Sequence, residues 1–174
     1  MNYLEFKSVE TTKLKKKEIL SICKLKNTEW KYGIKSQLMW FKKNIKTNDI
    51  HNMVFLRKNL IGYNLLRKRS FLINIKKNSY LYFDTLIVIK KYRKMNISKL
   101  LCELSSIIIK KTNYHSMLIC KNELVKFYKK FSWKKIKKKN FEILDHIFPK
   151  NYYPMFFNQQ KTFSRKKIKY FIFS

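Results

Sequence analysis

One stretch near the middle of the chain constrains the fold more than any other, because an apolar run leads directly into an amphipathic pattern. Residues 80 to 89 read YLYFDTLIVI, which suits a strand buried on both faces of a sheet. After Asn96, apolar residues recur at the spacing of one helix face: Ile97, Leu100, Leu101, Leu104, Ile107 and Ile108. A buried strand followed by such a helix is typical of the βα units of α/β proteins.

The patterns on either side extend this unit. Upstream, we predict a strand at 2 to 8, a helix from Thr11 or Thr12 through Leu25, a helix at 36 to 45 with Ser36 as its N-cap, and a hairpin of strands at 52 to 58 and 60 to 67. Downstream, we predict strands at 115 to 120, 133 to 138, 152 to 158 and 168 to 173, and a helix at 123 to 131. With no linker or repeat, the 174 residues are predicted to form one α/β domain, 1 to 174.

The net charge of +31 raises the possibility of an anionic partner. Only five of the 41 basic residues are Arg, however, although Arg is the residue that recognises phosphates and base edges with two parallel hydrogen bonds. Lys, Ile, Asn, Phe and Tyr are abundant while Gly and Pro number 2 each, which is the composition expected of an AT-rich coding sequence. Most of the charge is therefore interpreted as solvated surface, and a basic nucleic-acid-binding protein is kept as the alternative function.

Other residue types narrow the class of protein. The chain has no run of about 18 apolar residues that could cross a membrane, and lysines occupy the start of the chain where a signal peptide would be apolar, so we expect a cytoplasmic protein that does not bind membranes. Cys23, Cys102 and Cys120 are too widely spaced for a zinc site and are expected to be reduced, with no metal bound. The scattered histidines are interpreted as structural.

The turn between the buried strand and the helix has the features of an anion site. A helix N-terminus presents unpaired backbone N–H groups and the positive end of the helix dipole. Here Arg93 and Lys94 add charge, Asn96 tolerates a left-handed conformation, and Ser98 is small. The string IKKYRKMNISKLL, residues 89 to 101, therefore predicts a phosphate-binding turn that contains no glycine.

A second motif follows at CKNELVKFYKKFSW, residues 120 to 133, which joins a strand to a short amphipathic helix. Together the two motifs resemble the GNAT-type N-acetyltransferases, whose loop R/Q-x-x-G-x-G/A is matched by Arg93, Asn96 and Ser98, and whose Phe-Tyr pair is matched at 127 and 128. Ser132 stands where that family has a glycine before an aromatic residue. The resemblance implies a mixed central β-sheet flanked by helices, with a splayed strand pair forming an acetyl-CoA cleft.

The resemblance also implies which residues bind the cofactor. Residues 80 to 138 would form the acetyl-CoA-binding core and 141 to 174 the C-terminal strands. Main-chain groups of the strand end would pair with the pantetheine arm, and backbone amides of the turn would wrap the pyrophosphate. The implied residues are Ile87, Val88 and Ile89 in the strand, Arg93, Lys94, Met95, Asn96, Ile97, Ser98 and Lys99 in the turn, and, on weaker spacing, Asn122.

Two residues are candidates for proton transfer. The resembling family uses the tyrosine of its second motif as general acid, which makes Tyr128 the group that protonates the departing thiolate of coenzyme A. An amine acceptor must also lose a proton before it attacks, and Asp84 in the buried strand could take that proton. The structural alternatives are a packed Tyr128 ring with its hydroxyl at the surface and an Asp84 that only makes hydrogen bonds.

The acceptor is the least constrained part of this prediction. The resemblance implies an acetyl-CoA-dependent transfer to a primary amine, by direct attack in a ternary complex. The positive charge favours an anionic acceptor, small or macromolecular, such as a nucleotide-linked amino sugar, a tRNA or an acidic protein. Trp40 either packs or lines the acceptor pocket, Cys120 is interpreted as a packed thiol, and the apolar tail at 152 to 157 suggests a homodimer.

Overall fold

The structure is a computed structural model that describes residues 3–73, 76–136, 141–143, 150–157 and 168–170. The chain divides into two compact units. The first contains Met1–Arg67 and Asp84–Ser105, and the second contains Lys68–Phe83 and Ser106–Ser174. Two strands and one helix run through both units, and the rest of the elements belong to one unit each. Whether the units act as a single domain, as the sequence predicts, stays a prediction.

Three antiparallel strands and two helices make up most of the first unit. Strand β1 (Leu4–Glu10) pairs with β2 (Ile50–Leu56), and β2 pairs with β3 (Asn59–Ile73). Between β1 and β2 lie a 3₁₀ turn at Thr11–Lys13 and helices α1 (Lys16–Asn27) and α2 (Ile34–Asn44). Strand β4 (Lys76–Val88) then leads through a 3₁₀ turn at Lys90–Met95 into α3 (Ile97–Thr112).

The core of the first unit is built from the inner faces of these elements. One cluster joins the helices to the strands through Ile22, Cys23, Leu25, Phe41, Met53, Leu60, Tyr63, Leu65 and Ile87, all buried. A second cluster packs the start of α3 on the strands through Val54, Ile61, Val88, Ile97 and Leu101. Burial of this many large apolar side chains supplies the main driving force for folding.

Gly62 sets the distance between α3 and strand β3. A Cβ atom at this position would lie 2.6 Å from Ile97 Cγ2 and 3.2 Å from Leu101 Cδ1, so the helix rests directly on the strand backbone. Ile97 is branched at Cβ and has one strongly preferred rotamer in a helix, which leaves its Cγ2 little freedom to move away. The position of the α3 N-terminus therefore depends on the absence of a side chain at residue 62.

A buried polar cluster lies beside this contact. Asn64 Nδ2 donates to the Thr85 carbonyl at 2.7 Å, and Ser105 Oγ donates to Asn64 Oδ1 at 2.6 Å. Asn52 Nδ2 donates to Asn64 Oδ1 at 3.1 Å. All four residues are at most 4% exposed, so these bonds satisfy groups that would otherwise be buried without partners. Through them, β2, β3 and α3 hold the backbone of β4 at Thr85.

The second unit is a mixed sheet with one helix. Strand β5 (His115–Lys121) is followed by α4 (Asn122–Lys129), β6 (Lys134–Lys135), β7 (Phe141–Ile143), β8 (Tyr152–Phe157) and β9 (Ile168–Tyr170). The sheet order in this unit is β3-β4-β5-β8-β6, with β9 pairing with β3 and β7. The β4–β5 pair is parallel and covers Tyr80 to Tyr82 with His115 to Met117, although both strands continue further. The splayed strand pair that the resemblance implies stays a prediction.

The predicted α/β class with a mixed sheet is confirmed, while several boundaries were wrong. Helix α1 begins at Lys16, because Thr11 lies in a 3₁₀ turn where its hydroxyl contacts His51. Helix α2 begins after Gly33 rather than Ser36. On α3, Ile107 is 62% exposed; the buried positions are 97, 101, 102, 105 and 109. Strand β7 was not predicted, and the C-terminal end of the last predicted strand lies outside the described residues.

The β8 segment, which the sequence suggested as a dimer surface, is buried within its own unit. Met155, Phe156 and Phe157 are 0%, 4% and 3% exposed, and Phe157 packs with Trp133 at a ring centroid distance of 5.4 Å. The apolar character of the segment is accounted for by pairing with β5 and β6. The apolar residues of β8 therefore give no support to a homodimer, which stays a prediction.

We expect Gly62→Ala to destabilise the protein by about 1–3 kcal/mol, because the new methyl group overlaps Ile97 Cγ2. Urea unfolding of the single variant, of Ile97→Ala, and of the double variant would measure the coupling between the two positions. Ile97→Ala removes the overlapping atom, so the double variant should be more stable than the sum of the single effects predicts. Strict additivity would contradict the close contact.

We expect Ser132→Gly to stabilise the protein by about 1 kcal/mol, because Ser132 has a φ of 66° and a non-glycine residue pays a steric penalty there. Asn113→Gly is the matched comparison, since Asn113 has a φ of 55° but Asn tolerates this region. Its effect should be smaller. A loss of stability in Ser132→Gly, measured by thermal and urea unfolding, would contradict the assignment.

Candidate functional site

The turn that the sequence predicts as an anion site has the predicted backbone. Residues Lys90–Met95 form the 3₁₀ turn, and Asn96 follows in the left-handed region with φ 57° and ψ 17°, which confirms the conformation predicted for it. Leu100 N–H donates to the Asn96 carbonyl at 3.1 Å, which begins the hydrogen bonding of α3. The amides of Ile97, Ser98 and Lys99 precede this bond in the first turn, where no carbonyl of the helix can accept from them.

The side chains of the turn divide into an exposed and a buried set. Lys94, Met95, Asn96 and Lys99 are exposed and Ser98 is half-buried, whereas Ile97 is fully buried in the core of the first unit. Ile97 can therefore offer a ligand only its main chain. Its side chain fixes the helix start on Gly62, as described above.

Arg93 is not a free cation. Its Nε donates to the Val88 carbonyl at 3.1 Å, and its Nη2 forms an ion pair with Glu29. These contacts tie the turn to the end of β4 and to the residues after α1. Part of the positive charge predicted for an incoming phosphate is therefore already paired with Glu29. Lys99 Nζ lies 3.9 Å from Glu103 Oε1, and Lys94 is exposed.

The strand end before the turn is buried and paired on one side. Ile87 and Val88 are 3% and 5% exposed, and Ile89 N–H donates to the Ile61 carbonyl of β3 at 2.9 Å. The side chains of Ile87 and Val88 belong to the core, so a ligand would meet the main chain of this strand, as the sequence analysis expects.

A cavity of about 470 Å³ lies in the first unit beside the same strand. Its lining comes from α1, the segment between α1 and α2, α2 itself and β4: Lys26, Trp30, Tyr32, Ser36, Gln37, Trp40, Asp84 and Thr85. A volume in this range is typical of small-molecule sites. Trp40 and Asp84 both line this cavity, and whether it is the acceptor pocket stays a prediction.

Asp84 is held by an arginine that the sequence did not indicate. Arg67 Nη1 donates to Asp84 Oδ2 at 3.1 Å, and Arg67 Nη2 donates to the Asn44 carbonyl at 3.2 Å. The Arg67 side chain is 5% exposed and that of Asp84 is 21% exposed, so the carboxylate reaches solvent while its partner does not. Asp84 is therefore both a hydrogen-bonded strand residue, as its structural alternative held, and a group that faces the cavity.

Lys26 is a second residue of the cavity that sequence reasoning missed. It is 8% exposed, and its Nζ lies 3.6 Å from the centroid of the Trp40 ring and 6.0 Å from that of Trp30. Burial lowers the pKa of Lys26 below its ordinary value, an effect that the nearby Asp84 partly offsets. The available signal was its spacing in α1, since a residue four positions after Ile22 and three after Cys23 lies on the same helix face.

His51 and the cysteines are structural, as the sequence analysis expects. His51 Nδ1 and Nε2 lie 2.8 Å from the Tyr63 hydroxyl and 2.9 Å from Thr11 Oγ1, and burial lowers the pKa of His51 to about 4. Cys120 contacts Met155 at 3.7 Å, and burial raises the pKa of its thiol to about 11. A thiol of that pKa is a poor nucleophile near neutral pH, which argues against an acyl-cysteine route.

Tyr128 lies in the second unit among aromatic rings. It is 7% exposed, near the end of α4, and its ring meets those of Phe83 and Phe127 edge to face at centroid distances of 5.7 and 5.1 Å. Asn122 begins α4, is exposed, and donates its N–H to the Asn151 carbonyl at 2.9 Å. Packing of the Tyr128 ring fixes the direction of its phenol, and its catalytic role and the contact of Asn122 with coenzyme A stay predictions.

Two negative observations complete the description. Within the described ranges, no group of three or more His, Cys, Asp or Glu residues could hold a metal ion. None of the helices described here is long and apolar enough to span a bilayer.

Solved structures of N-acyltransferases are similar to most of the chain. An acyl-CoA N-acyltransferase from Pseudomonas aeruginosa superposes with a TM-score of 0.66 at 12% identity, over 88% of this chain and 99% of that one. PaiA N-acetyltransferase from Thermoplasma acidophilum, in complex with coenzyme A, gives 0.56 at 16% identity, over 88% and 98%. An acetyltransferase from Streptococcus agalactiae gives 0.60 at 15% identity, over 88% and 96%.

The sequence itself matches no protein-family model and no curated protein. At identities of 11–16% the likeness is one of three-dimensional structure. The chain has the fold of the GNAT-type N-acetyltransferases.

Proposed function

We propose that the protein is an acetyl-CoA-dependent N-acetyltransferase. The observation that carries this proposal is the unit of β4, turn and α3: one strand places Asp84 in a cavity and then leads into a turn with a left-handed residue and unpaired helix amides. The same fold is found in N-acyltransferases, one of which was solved with coenzyme A. Fold alone does not fix activity, so the argument rests on these residues.

The turn supplies what a pyrophosphate needs. Backbone amides of Ile97, Ser98 and Lys99 would donate to phosphate oxygens, and the exposed Lys94 and Lys99 would add charge. Asn96 keeps the left-handed backbone that a glycine would otherwise provide. The main chain of Ile87 to Ile89 would pair with the pantetheine arm.

Proton transfer is assigned to two groups. Bound acetyl-CoA supplies an activated thioester, and the acceptor amine attacks it directly in a ternary complex. Asp84 takes the proton that the ammonium loses, directly or through water, because it is the carboxylate of the cavity. Tyr128 donates its phenolic proton to the departing thiolate, whose basicity is comparable to that of a phenol, and the second proton that the attacking nitrogen loses restores the phenol through solvent.

Nucleic-acid binding is the less supported function. The net charge of +31 favours it, yet the fold neighbours are acyltransferases and the chain is poor in Arg. Tight RNA or DNA binding that falls steeply with salt, without affinity for acetyl-CoA, would favour this alternative over the proposed one.

Acetyl-CoA should bind the purified protein, and Asn96→Val should weaken binding by about tenfold or more, because a β-branched residue cannot hold φ 57° without moving the turn. Calorimetry or a thermal-shift titration measures the affinity. Asn113→Val is the matched control, since Asn113 has the same conformation at the other end of α3 and is not part of the site.

The control should lose stability without losing affinity for acetyl-CoA. No binding by the wild-type protein at millimolar acetyl-CoA would refute the proposed function. Equal affinities of wild type and Asn96→Val would instead remove the turn from the site.

Tyr128→Phe should lower kcat by about 10²–10⁴-fold and leave the affinity for acetyl-CoA nearly unchanged, because it removes the proton donor and keeps the ring. Thiol release with the first acceptor found in a screen of amines measures kcat. Tyr153→Phe on β8 is the control, since it removes a phenol in the same unit whose ring carries the Lys135 ammonium at 3.4 Å. An unchanged kcat in Tyr128→Phe would exclude Tyr128 as the general acid.

A further inference from the structure

The ammonium of Lys26 is a buried cation that forms no salt bridge with any residue in the described part of the chain. The side chain is more than nine-tenths buried and lines the cavity, and its closest described contacts are the rings of Trp40 and Trp30. Among the residues that the structure describes, no carboxylate lies within ion-pair distance of Lys26 Nζ. Buried charges are normally paired, because leaving water is costly for an isolated ion.

The one carboxylate of the cavity is already engaged elsewhere. Asp84 accepts the hydrogen bond of Arg67, which itself lies 5.6 Å from the Trp40 ring centroid. Lys26, Arg67 and Asp84 together therefore carry one excess positive charge at this end of the cavity. A group that enters the cavity beside Lys26 meets a positive potential.

The aromatic walls determine what else would fit. Trp30, Tyr32 and Trp40 line the cavity, and aromatic rings with a carboxylate can form a cage for a cationic ligand. Here the Trp40 ring is occupied by the Lys26 ammonium at 3.6 Å, and Arg67 lies near the same ring. A second cation over Trp40 would be repelled by both basic side chains. The aromatic side chains that line the cavity can instead stack on an apolar or planar part of a ligand.

We propose that Lys26 binds an anionic group of the acceptor, so that the substrate is a small amine that also carries a carboxylate or a phosphate. The apolar body of the acceptor lies against Trp30, Tyr32 and Trp40, its anionic group pairs with Lys26, and its amine is directed to Asp84. This assignment rests on the proposed function, to which it adds the chemical class of the acceptor and a residue that determines specificity.

The size of the cavity favours a small acceptor. About 470 Å³ accommodates a ligand of metabolite size, whereas a macromolecule could insert only one residue or nucleotide. The anionic group is common to carboxylates and phosphates, and the two sources differ in charge and shape. Comparing the affinities of a carboxylate probe and a phosphate probe therefore shows which of the two groups the cavity prefers.

Binding of small aromatic probes in the absence of acetyl-CoA tests this inference independently of acetyl transfer. We would titrate the protein by calorimetry with phenylacetate, phenyl phosphate, neutral benzyl alcohol and cationic phenethylamine, at one ionic strength near 0.15 M to screen the surface charge. At least one anionic probe should bind about tenfold more tightly than the neutral and cationic probes. The stronger of the two anionic probes identifies carboxylate or phosphate as the preferred group.

Lys26→Met should abolish this preference for the anionic probe, because Met keeps the volume of the side chain without its charge. Lys24→Met is the matched control: it removes the same charge from an exposed position on the same helix and should leave the preference unchanged. Lys26→Gln gives the same comparison if Lys26→Met does not fold, which circular dichroism would show.

Three outcomes would overturn the inference: no saturable binding of either anionic probe at millimolar concentration, tighter binding of phenethylamine, or an unchanged preference in Lys26→Met. If acetyl-CoA binds and these outcomes are found, the proposed function stands and only the acceptor class fails. If acetyl-CoA does not bind while the anionic preference is observed, the cavity is an anion site and the acetyltransferase proposal fails.

Discussion

The contact between Ile97 and the backbone of Gly62 is the constraint on which the candidate site depends. It presses the first turn of α3 against β3, buries Ile97 and Leu101 completely, and thereby fixes where the unpaired amides of that turn point. A ligand site made of backbone groups has no side chains that can adjust, so its precision comes from the packing behind it. The polar contacts of Asn64 with Thr85 and Ser105 add to this by holding the adjacent stretch of β4.

Strand β4 contributes both to the cavity and to the turn that precedes α3, within a few residues. At Asp84 and Thr85 the strand lines a cavity, and at Ile87 to Ile89 its side chains enter the core while its main chain leads into the turn. Ile87 joins the core cluster of α1 and α2 and Val88 joins that of α3, as expected of neighbouring strand residues that face opposite sides of the sheet. The cavity and the turn are thereby positioned by one element, and no loop has to bring them together.

Sequence reasoning succeeded where the pattern was local and failed where it depended on tertiary contacts. The strand at 80 to 89, the helix after Asn96 and the left-handed Asn96 all follow from spacing and residue type over a short stretch. Lys26 and Arg67 were not predicted, because each looks like one more basic residue in a chain that has 41. Only the structure shows that they are buried beside Asp84, whereas most lysines remain on solvated faces. The abundance of basic residues, which made charge uninformative in the sequence, is thus also the reason that Lys26 and Arg67 were overlooked.

The scarcity of glycine also affects the turns, where other residues adopt backbone conformations that favour glycine. Among the residues that the structure describes, five that are not glycine adopt positive φ, as does Gly33; the five are Arg57, Lys58, Asn96, Asn113 and Ser132. Each such residue costs about 1–2 kcal/mol relative to a relaxed backbone, less for Asn, and the surrounding packing must offset that cost. At Ser132 the offset comes from Trp133, which is 2% exposed and packs on Phe83 at 5.5 Å. At Asn96 it comes from Ile97. The left-handed backbone at Asn96 is therefore held by packing without a glycine, and at Ser98 a small, half-buried side chain takes the place of the hydrogen atom that a glycine would carry.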